Sequence, residues 1–130
     1  MKGILLISHG CMAEGMMDTI SLFFGNLEQT DYLCLKKEDN PSDFKDAMEK
    51  KIKALDTGDG VLVLADMLGG TPCNQSAYFI QNSATVITGL NLPMLLTVMA
   101  ARENIDFDQV MNEGRTGICC LNDIVGVERK

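Results

Sequence analysis

The chain has 130 residues, enough for one domain with a substantial core, and its 46% hydrophobic and 22% charged residues are ordinary for a globular protein. A formal net charge of -7 argues against nucleic acid or an anionic membrane as a partner, so a partner that docks by charge should be basic. The apolar runs are too short for a membrane helix or a signal peptide, and the five cysteines form no CxxC pair, so we expect a cytoplasmic protein without a disulfide framework.

The apolar pattern predicts strands that alternate with helices. The first strand is apolar without interruption, which is typical of a strand buried on both faces of a parallel sheet. Five strands are predicted, at residues 3–8, 31–35, 61–65, 84–87 and 117–121. Four helices are predicted, and they begin near residues 13, 41, 72 and 93.

This alternation implies right-handed βαβ units and an α/β fold, a doubly wound and mostly parallel sheet with helices on both faces. The short strand at 117–121 is expected at the edge of the sheet and could be antiparallel. No repeat, linker or low-complexity tract divides the chain, so residues 1–130 are expected to form a single domain. Sheets of this kind bind ligands at the carboxyl ends of their strands, where the strand order reverses.

Two side chains with useful chemistry follow strand ends. His9, the only histidine, leaves the first strand, and Asp66 leaves the third. If these strands are neighbours, the carboxylate can accept a hydrogen bond from one ring nitrogen and leave the other free to attack an electrophile. His9 is therefore a candidate nucleophile and Asp66 its orienting acid. The alternatives are a surface or capping histidine and an ordinary strand-end acid.

The segment "DMLGGTPCN" places two glycines and a threonine immediately before a predicted helix. The backbone N–H groups of Gly69 and Gly70 could approach a ligand closely, and Thr71 offers a hydroxyl and is expected to cap the helix. The segment is a candidate anion cradle, although such a sequence can also be only a turn. It lacks the lysine of the GxxxxGK[ST] motif, so binding of a nucleoside triphosphate is not supported.

Three motifs, "ILLISHG", "DMLGGTPCN" and "TGLNLPML", occur in an order and spacing that resemble the enzyme IIA component of the mannose/fructose family of the bacterial sugar phosphotransferase system. The resemblance covers essentially the whole chain. It implies a doubly wound domain, without cofactor or metal, whose histidine accepts a phosphoryl group from the phosphocarrier HPr and passes it to enzyme IIB. His9 would be phosphorylated, Asp66 would hydrogen-bond to it, and Gly69, Gly70 and Thr71 would line the phosphoryl site.

The resemblance also implies a homodimer and an indirect link, through IIB, to the membrane components IIC and IID. The chain looks like a IIA subunit without a fused IIB domain. Because HPr and IIB would use one crevice in turn, its rim is expected to be apolar and adaptable. The candidates for this rim are Met12, Met67, Leu68 and Met94. The alternative is that these four side chains pack in the core.

Other functions share parts of this pattern. The phosphocarrier subunit of dihydroxyacetone kinase has a similar strand-Ser-His start and would change only the downstream partner. A small tetrapyrrole chelatase also begins with a strand-His-Gly motif, but a metal needs more ligands and there is no second histidine. A receiver domain with Asp66 as phosphoacceptor would need an acidic pair where Ser8 and His9 stand. A binding module with a structural histidine also stays open.

Overall fold

The computed structural model describes residues 1–130 and contains one sheet of four parallel strands. The strands are β1 (Gly3–His9), β2 (Thr30–Leu35), β3 (Val61–Ala65) and β4 (Ala84–Thr88). Their order across the sheet is β2-β1-β3-β4, so the central pair is β1 and β3. The predicted parallel sheet is confirmed, and its central strands are β1, which is apolar from Gly3 to Ile7, and β3, which is apolar throughout.

Helices cover both faces of the sheet. They are α1 (Met12–Phe24), α2 (Pro41–Leu55), α3 (Thr71–Ser76) with a following 3₁₀ turn (Ala77–Phe79), α4 (Leu92–Ala100), α5 (Phe107–Thr116) and α6 (Leu121–Val125). One core cluster lies between the sheet and α1, α4 and α5, and a second lies between the sheet and α2 and α3. This two-sided packing is the doubly wound arrangement that the sequence predicts. None of the helices is both long and apolar enough to span a membrane.

The segment that differs from prediction is the carboxyl-terminal one. The strand expected at 117–121 is wrong, because α5 extends to Thr116 and α6 begins at Leu121. The amides of Gly117 and Ile118 donate to carbonyls of α5, and the amide of Ile124 donates to Cys120. These local hydrogen bonds use the backbone groups that a sheet would need, and an apolar run alone cannot exclude them.

Helix starts follow the expected capping chemistry in part. Asn40 accepts a hydrogen bond from the Asp43 amide at 2.8 Å, as predicted for the start of α2. The cap expected from Thr71 is wrong, since Gly70 occupies the N-cap position of α3 and no side chain caps this helix. Helix α5 was not predicted at all, although Asp106 caps it by accepting from the Gln109 amide at 3.2 Å.

The turn from β1 into α1 is fixed by Ser8, which is fully buried. Its hydroxyl oxygen accepts a hydrogen bond from the Ala13 amide at 2.7 Å, while Cys11 at the N-cap position supplies no side-chain cap. Gly10 adopts a φ of 56°, and its amide donates to the Leu35 carbonyl at 2.8 Å. Together these bonds hold the backbone on both sides of His9.

We predict that Ser8→Ala lowers the free energy of unfolding by about 1–2 kcal/mol, because it leaves the Ala13 amide buried without an acceptor. Chemical denaturation measures this change. Ser76→Ala is the matched control, since Ser76 is equally buried but its hydroxyl only donates to the Cys73 carbonyl within α3. An equal loss in both variants would show that Ser8 has no special role in the turn.

Candidate functional site

The pairing of β1 with β3 brings two strand ends together at the centre of the sheet. Ile7 lies opposite Ala65 in the register, and the Asp66 amide donates to the Ile7 carbonyl at 3.1 Å. The chain leaves β1 toward β2 on one side, while β3 lies on the other side, so the strand order reverses here. His9 and Asp66 therefore stand at the point of a doubly wound sheet where ligands bind.

Asp66 is held by three N–H groups. Its Oδ2 atom lies 2.7 Å from Nδ1 of the His9 ring and accepts a hydrogen bond from the His9 amide at 2.9 Å. Its Oδ1 atom accepts from the Met67 amide at 2.9 Å. The side chain of Asp66 is only 10% exposed, whereas that of His9 is 45% exposed. The carboxylate is thus held in place by its hydrogen bonds, while the ring that it contacts is accessible to solvent.

Hydrogen bonds and burial act in opposite directions on the pKa of Asp66. Burial by itself raises the pKa of this carboxyl group, but the donors from the His9 amide, the His9 ring and the Met67 amide outweigh burial. The pKa of Asp66 therefore lies below its ordinary value, and the group is a carboxylate at neutral pH. A carboxylate at 2.7 Å favours the ring tautomer with a proton on Nδ1, which leaves the lone pair of Nε2 free.

The glycine segment lies beside this ring. Gly70 packs against the imidazole, and Gly69 and Thr71 flank it in the chain. Gly69 adopts a φ of 87°, a conformation that favours glycine, and its carbonyl accepts a hydrogen bond from the Asn74 side chain at 3.2 Å. The structure thus brings Gly70 into contact with the predicted nucleophile and holds the neighbouring turn in place.

The expected apolar rim is only partly present. Met12, Met67 and Leu68 are exposed, and each lies within three residues of His9 or Asp66 in the chain. Met94 differs from the expectation, because it is only 4% exposed and belongs to the core cluster under α4. It packs against Gly114, while Asn91 caps α4 by accepting from the Met94 amide at 2.9 Å. Met94 is therefore a core residue and not part of the rim.

Ser8 and Lys36 are site neighbours that the sequence analysis missed. Lys36 follows the carboxyl end of β2, and its ammonium group donates to the Cys11 sulfur at 3.0 Å. This hydrogen bond raises the pKa of Lys36 above its ordinary value despite partial desolvation. Searching every strand end for polar residues would have found Lys36. No group of three or more His, Cys, Asp or Glu side chains is arranged to hold a metal ion.

Comparisons of this chain with a family model and with known sequences point to one family. A model of the family described as the fructose IIA component of the phosphotransferase system (PTS), EIIA-man, matches residues 3–114. The chain is 30% identical over 125 residues to the PTS mannose-specific EIIAB component of Escherichia coli strain K12, a match that covers 91% of this chain and 39% of that protein. The chain thus spans about two fifths of the length of that relative.

Solved structures agree with this match. A crystal structure of the PTS IIA protein associated with the fucose utilization operon of Streptococcus pneumoniae superposes with a TM-score of 0.89 at 25% identity, covering 95% of this chain and 96% of that one. The mannose/sorbose-specific IIA subunit of Enterococcus faecalis gives a TM-score of 0.82 at 28% identity, covering 92% and 95%. Because the family model spans most of the chain, including His9 and Asp66, this protein belongs to the mannose/fructose-type IIA family of the phosphotransferase system.

Proposed function

We propose that this chain is a phosphoryl carrier that accepts a phosphoryl group from phospho-HPr on His9 and passes it to enzyme IIB. The observation that carries the proposal is the 2.7 Å contact between His9 Nδ1 and Asp66 Oδ2 at the reversal point of the sheet. Because the chain belongs to the IIA family, we assign phosphoryl transfer to this pair. The whole chain would act as one IIA domain of the cytoplasm, connected to the membrane components IIC and IID only through IIB.

The transfer uses the free ring nitrogen. Nε2 of His9 donates its lone pair to phosphorus, a nitrogen–phosphorus bond forms, and the donor's bond to phosphorus breaks with its electron pair leaving on the donor. The ring then carries positive charge, and the Asp66 carboxylate at Nδ1 stabilises that charge without taking the proton. Passage of the group to IIB reverses these steps with a different acceptor.

The neighbouring turn would receive the phosphoryl oxygens. Gly69, Gly70 and Thr71 are carried over from the family motif, and the contact between Gly70 and the ring puts this turn within reach of the reacting nitrogen. Backbone N–H groups and the Thr71 hydroxyl are suitable donors to a phosphoryl group. No cofactor is needed for a transfer of this kind.

We predict that HPr-dependent phosphorylation requires the pair. Incubation with radiolabelled phosphoenolpyruvate, enzyme I and HPr should label the wild type with an acid-labile, base-stable phosphate, and His9→Ala should take none. Asp66→Asn should be labelled roughly 100-fold more slowly, because the amide cannot stabilise the charge that develops on the ring.

The His9→Ala variant is the control for labelling elsewhere in the chain. Label that persists in His9→Ala would contradict the proposed acceptor. Wild-type rates in a folded Asp66→Asn variant would remove Asp66 from the reaction.

The exposed side chains of Met12, Met67 and Leu68 would form the docking rim for HPr and then for IIB. Flexible thioethers can repack against two different surfaces. The net charge of -7 would attract a basic surface on the donor and would make association faster at low salt. Met94 takes no part in this proposal because it is buried.

We predict that Leu68→Glu slows phosphorylation by phospho-HPr about tenfold or more without lowering the melting temperature, since the side chain is exposed beside the site. Leu22→Glu is the matched control, because Leu22 is also exposed but lies near the carboxyl end of α1, away from His9. Equal rates for the two variants would contradict the rim. A large loss of stability in Leu68→Glu would assign Leu68 to the core.

A homodimer is proposed on the apolar surface of the carboxyl-terminal segment, residues 117–127. Its large exposed side chains are Ile118, Leu121, Ile124, Val125 and Val127. Strand β4 has a free edge, and a cavity of about 440 Å³ beside it is lined by Val86, Thr88, Arg115 and Ile118 among others. A free sheet edge in a chain that exposes several large apolar side chains is typical of an interface, and a second copy of the chain would cover both.

We predict that the wild type sediments as a dimer at micromolar concentration. Ile124→Glu combined with Val127→Glu should shift it toward monomer, because both side chains are exposed within the proposed interface. Sedimentation velocity measures the change, with Leu22→Glu as the control for added surface charge. A monomeric wild type would contradict the proposal.

A further inference from the structure

Gly70 lies directly against the imidazole of His9. A Cβ atom added at Gly70 would overlap Cε1 of the ring and would stand 3.0 Å from Nε2 and 3.5 Å from Nδ1. Overlap of this kind is not tolerated, and separations near 3.0 Å are tighter than almost all real Cβ contacts. No side chain larger than hydrogen therefore fits at position 70 while the ring keeps its place.

The backbone does not require glycine at this position. Gly70 has φ -82° and ψ 166°, an extended conformation that any residue can adopt. Gly69 differs, since its φ of 87° disfavours every other residue. The absence of a side chain at position 70 thus serves the contact with His9 and not the turn itself.

The ring can move away only by giving up its partner. Its Nδ1 atom is tied to Asp66 at 2.7 Å, and the His9 amide is tied to the same carboxylate oxygen. The backbone is therefore fixed, so rotation about the side-chain torsions is the available response to a new Cβ atom. Because the side chain of His9 is 45% exposed, the ring can rotate into solvent. A Cβ atom at position 70 would therefore change the orientation of the ring without unfolding the chain.

We infer that Gly70 is a positioning residue whose missing side chain lets the imidazole lie on the backbone with Nδ1 on Asp66 and Nε2 unobstructed. The inference rests on the proposed phosphoryl transfer at His9. It gives Gly70 a role before the phosphoryl group arrives, separate from any contact that its backbone makes with that group.

The test substitutes Gly70→Ala and measures three quantities. The variant should stay folded, and its melting temperature should fall by no more than the loss of the His9–Asp66 hydrogen bond explains. The long-range ¹H–¹⁵N spectrum of the neutral ring should show Nδ1–H in the wild type and a shift toward Nε2–H in the variant, and the single histidine makes these signals unambiguous. Phosphorylation should slow about 10- to 100-fold, with phospho-HPr and with the small donor phosphoramidate alike.

Gly15→Ala is the matched control, because Gly15 is an exposed residue of α1 where an added Cβ atom meets nothing within 4 Å. It should change neither the spectrum nor the rate. The pair His9→Ala and His9→Ala/Gly70→Ala tests the contact itself. These two proteins should melt at the same temperature, since the ring that the Cβ atom would meet is gone.

A Gly70→Ala protein with the wild-type ring spectrum and the wild-type rate would overturn the inference. A lower melting temperature of the double variant relative to His9→Ala would also overturn it, because the Cβ atom would then meet other atoms. If the ring spectrum shifts as expected but the wild type accepts no phosphate from either donor, the positioning role holds and the proposed function fails.

Discussion

The parallel pairing of β1 with β3 sets Ile7 opposite Ala65, and one further ladder bond, from the Asp66 amide to the Ile7 carbonyl, extends the pairing past the last strand residue. Slipping this register by one residue would turn every side chain of β1 to the opposite face of the sheet. Both strands are buried on both faces, so the packed helices resist such a slip. The backbone positions of His9 and Asp66 are therefore held by the packing of the core.

The site at this strand pairing contains a mostly buried carboxylate, that of Asp66. A carboxylate with little exposure costs free energy unless donors compensate it, and three N–H groups do so for Asp66. Two of these donors are backbone amides, one from His9 at the end of β1 and one from Met67 in the turn after β3, so the charge is stabilised by backbone that the fold already fixes. The third donor is the His9 ring. Asp66 thus orients the ring at no cost in unpaired charge, and it is prepared for the positive charge that phosphorylation would create.

The sequence predicts the parts of the fold that rest on continuous apolar runs and local capping. Residues 61–65 are an example, as is the start of α2 at Asn40 and Pro41. It predicts that His9 and Asp66 can meet if β1 and β3 are neighbours, because strand ends of a parallel sheet share one edge, and the structure supplies that strand order. It fails at 117–121, where an apolar run takes local turn and helix bonds instead of a sheet edge.

Features that depend on contacts between distant segments also cannot be predicted from the sequence. Met94 stands close in the chain to a proposed site motif, yet α4 turns it into the core against Gly114. The sequence predicts Gly70 as part of an anion cradle or a turn, and only the structure places the imidazole of His9 where a side chain would be. Ser8 shows the same limit, because its acceptor role appears only once the Ala13 amide is buried beside it.

In the proposed carrier, Asp66 binds Nδ1 of the His9 ring and leaves Nε2 free for phosphorus. The long-range ¹H–¹⁵N spectrum of the phosphorylated wild-type protein tests it most directly, since the chain contains a single histidine. We expect phosphorus on Nε2, with a proton retained on Nδ1 beside Asp66. Phosphorus found on Nδ1 would require the ring to leave the carboxylate, and it would show that Asp66 does not hold Nδ1 during the transfer.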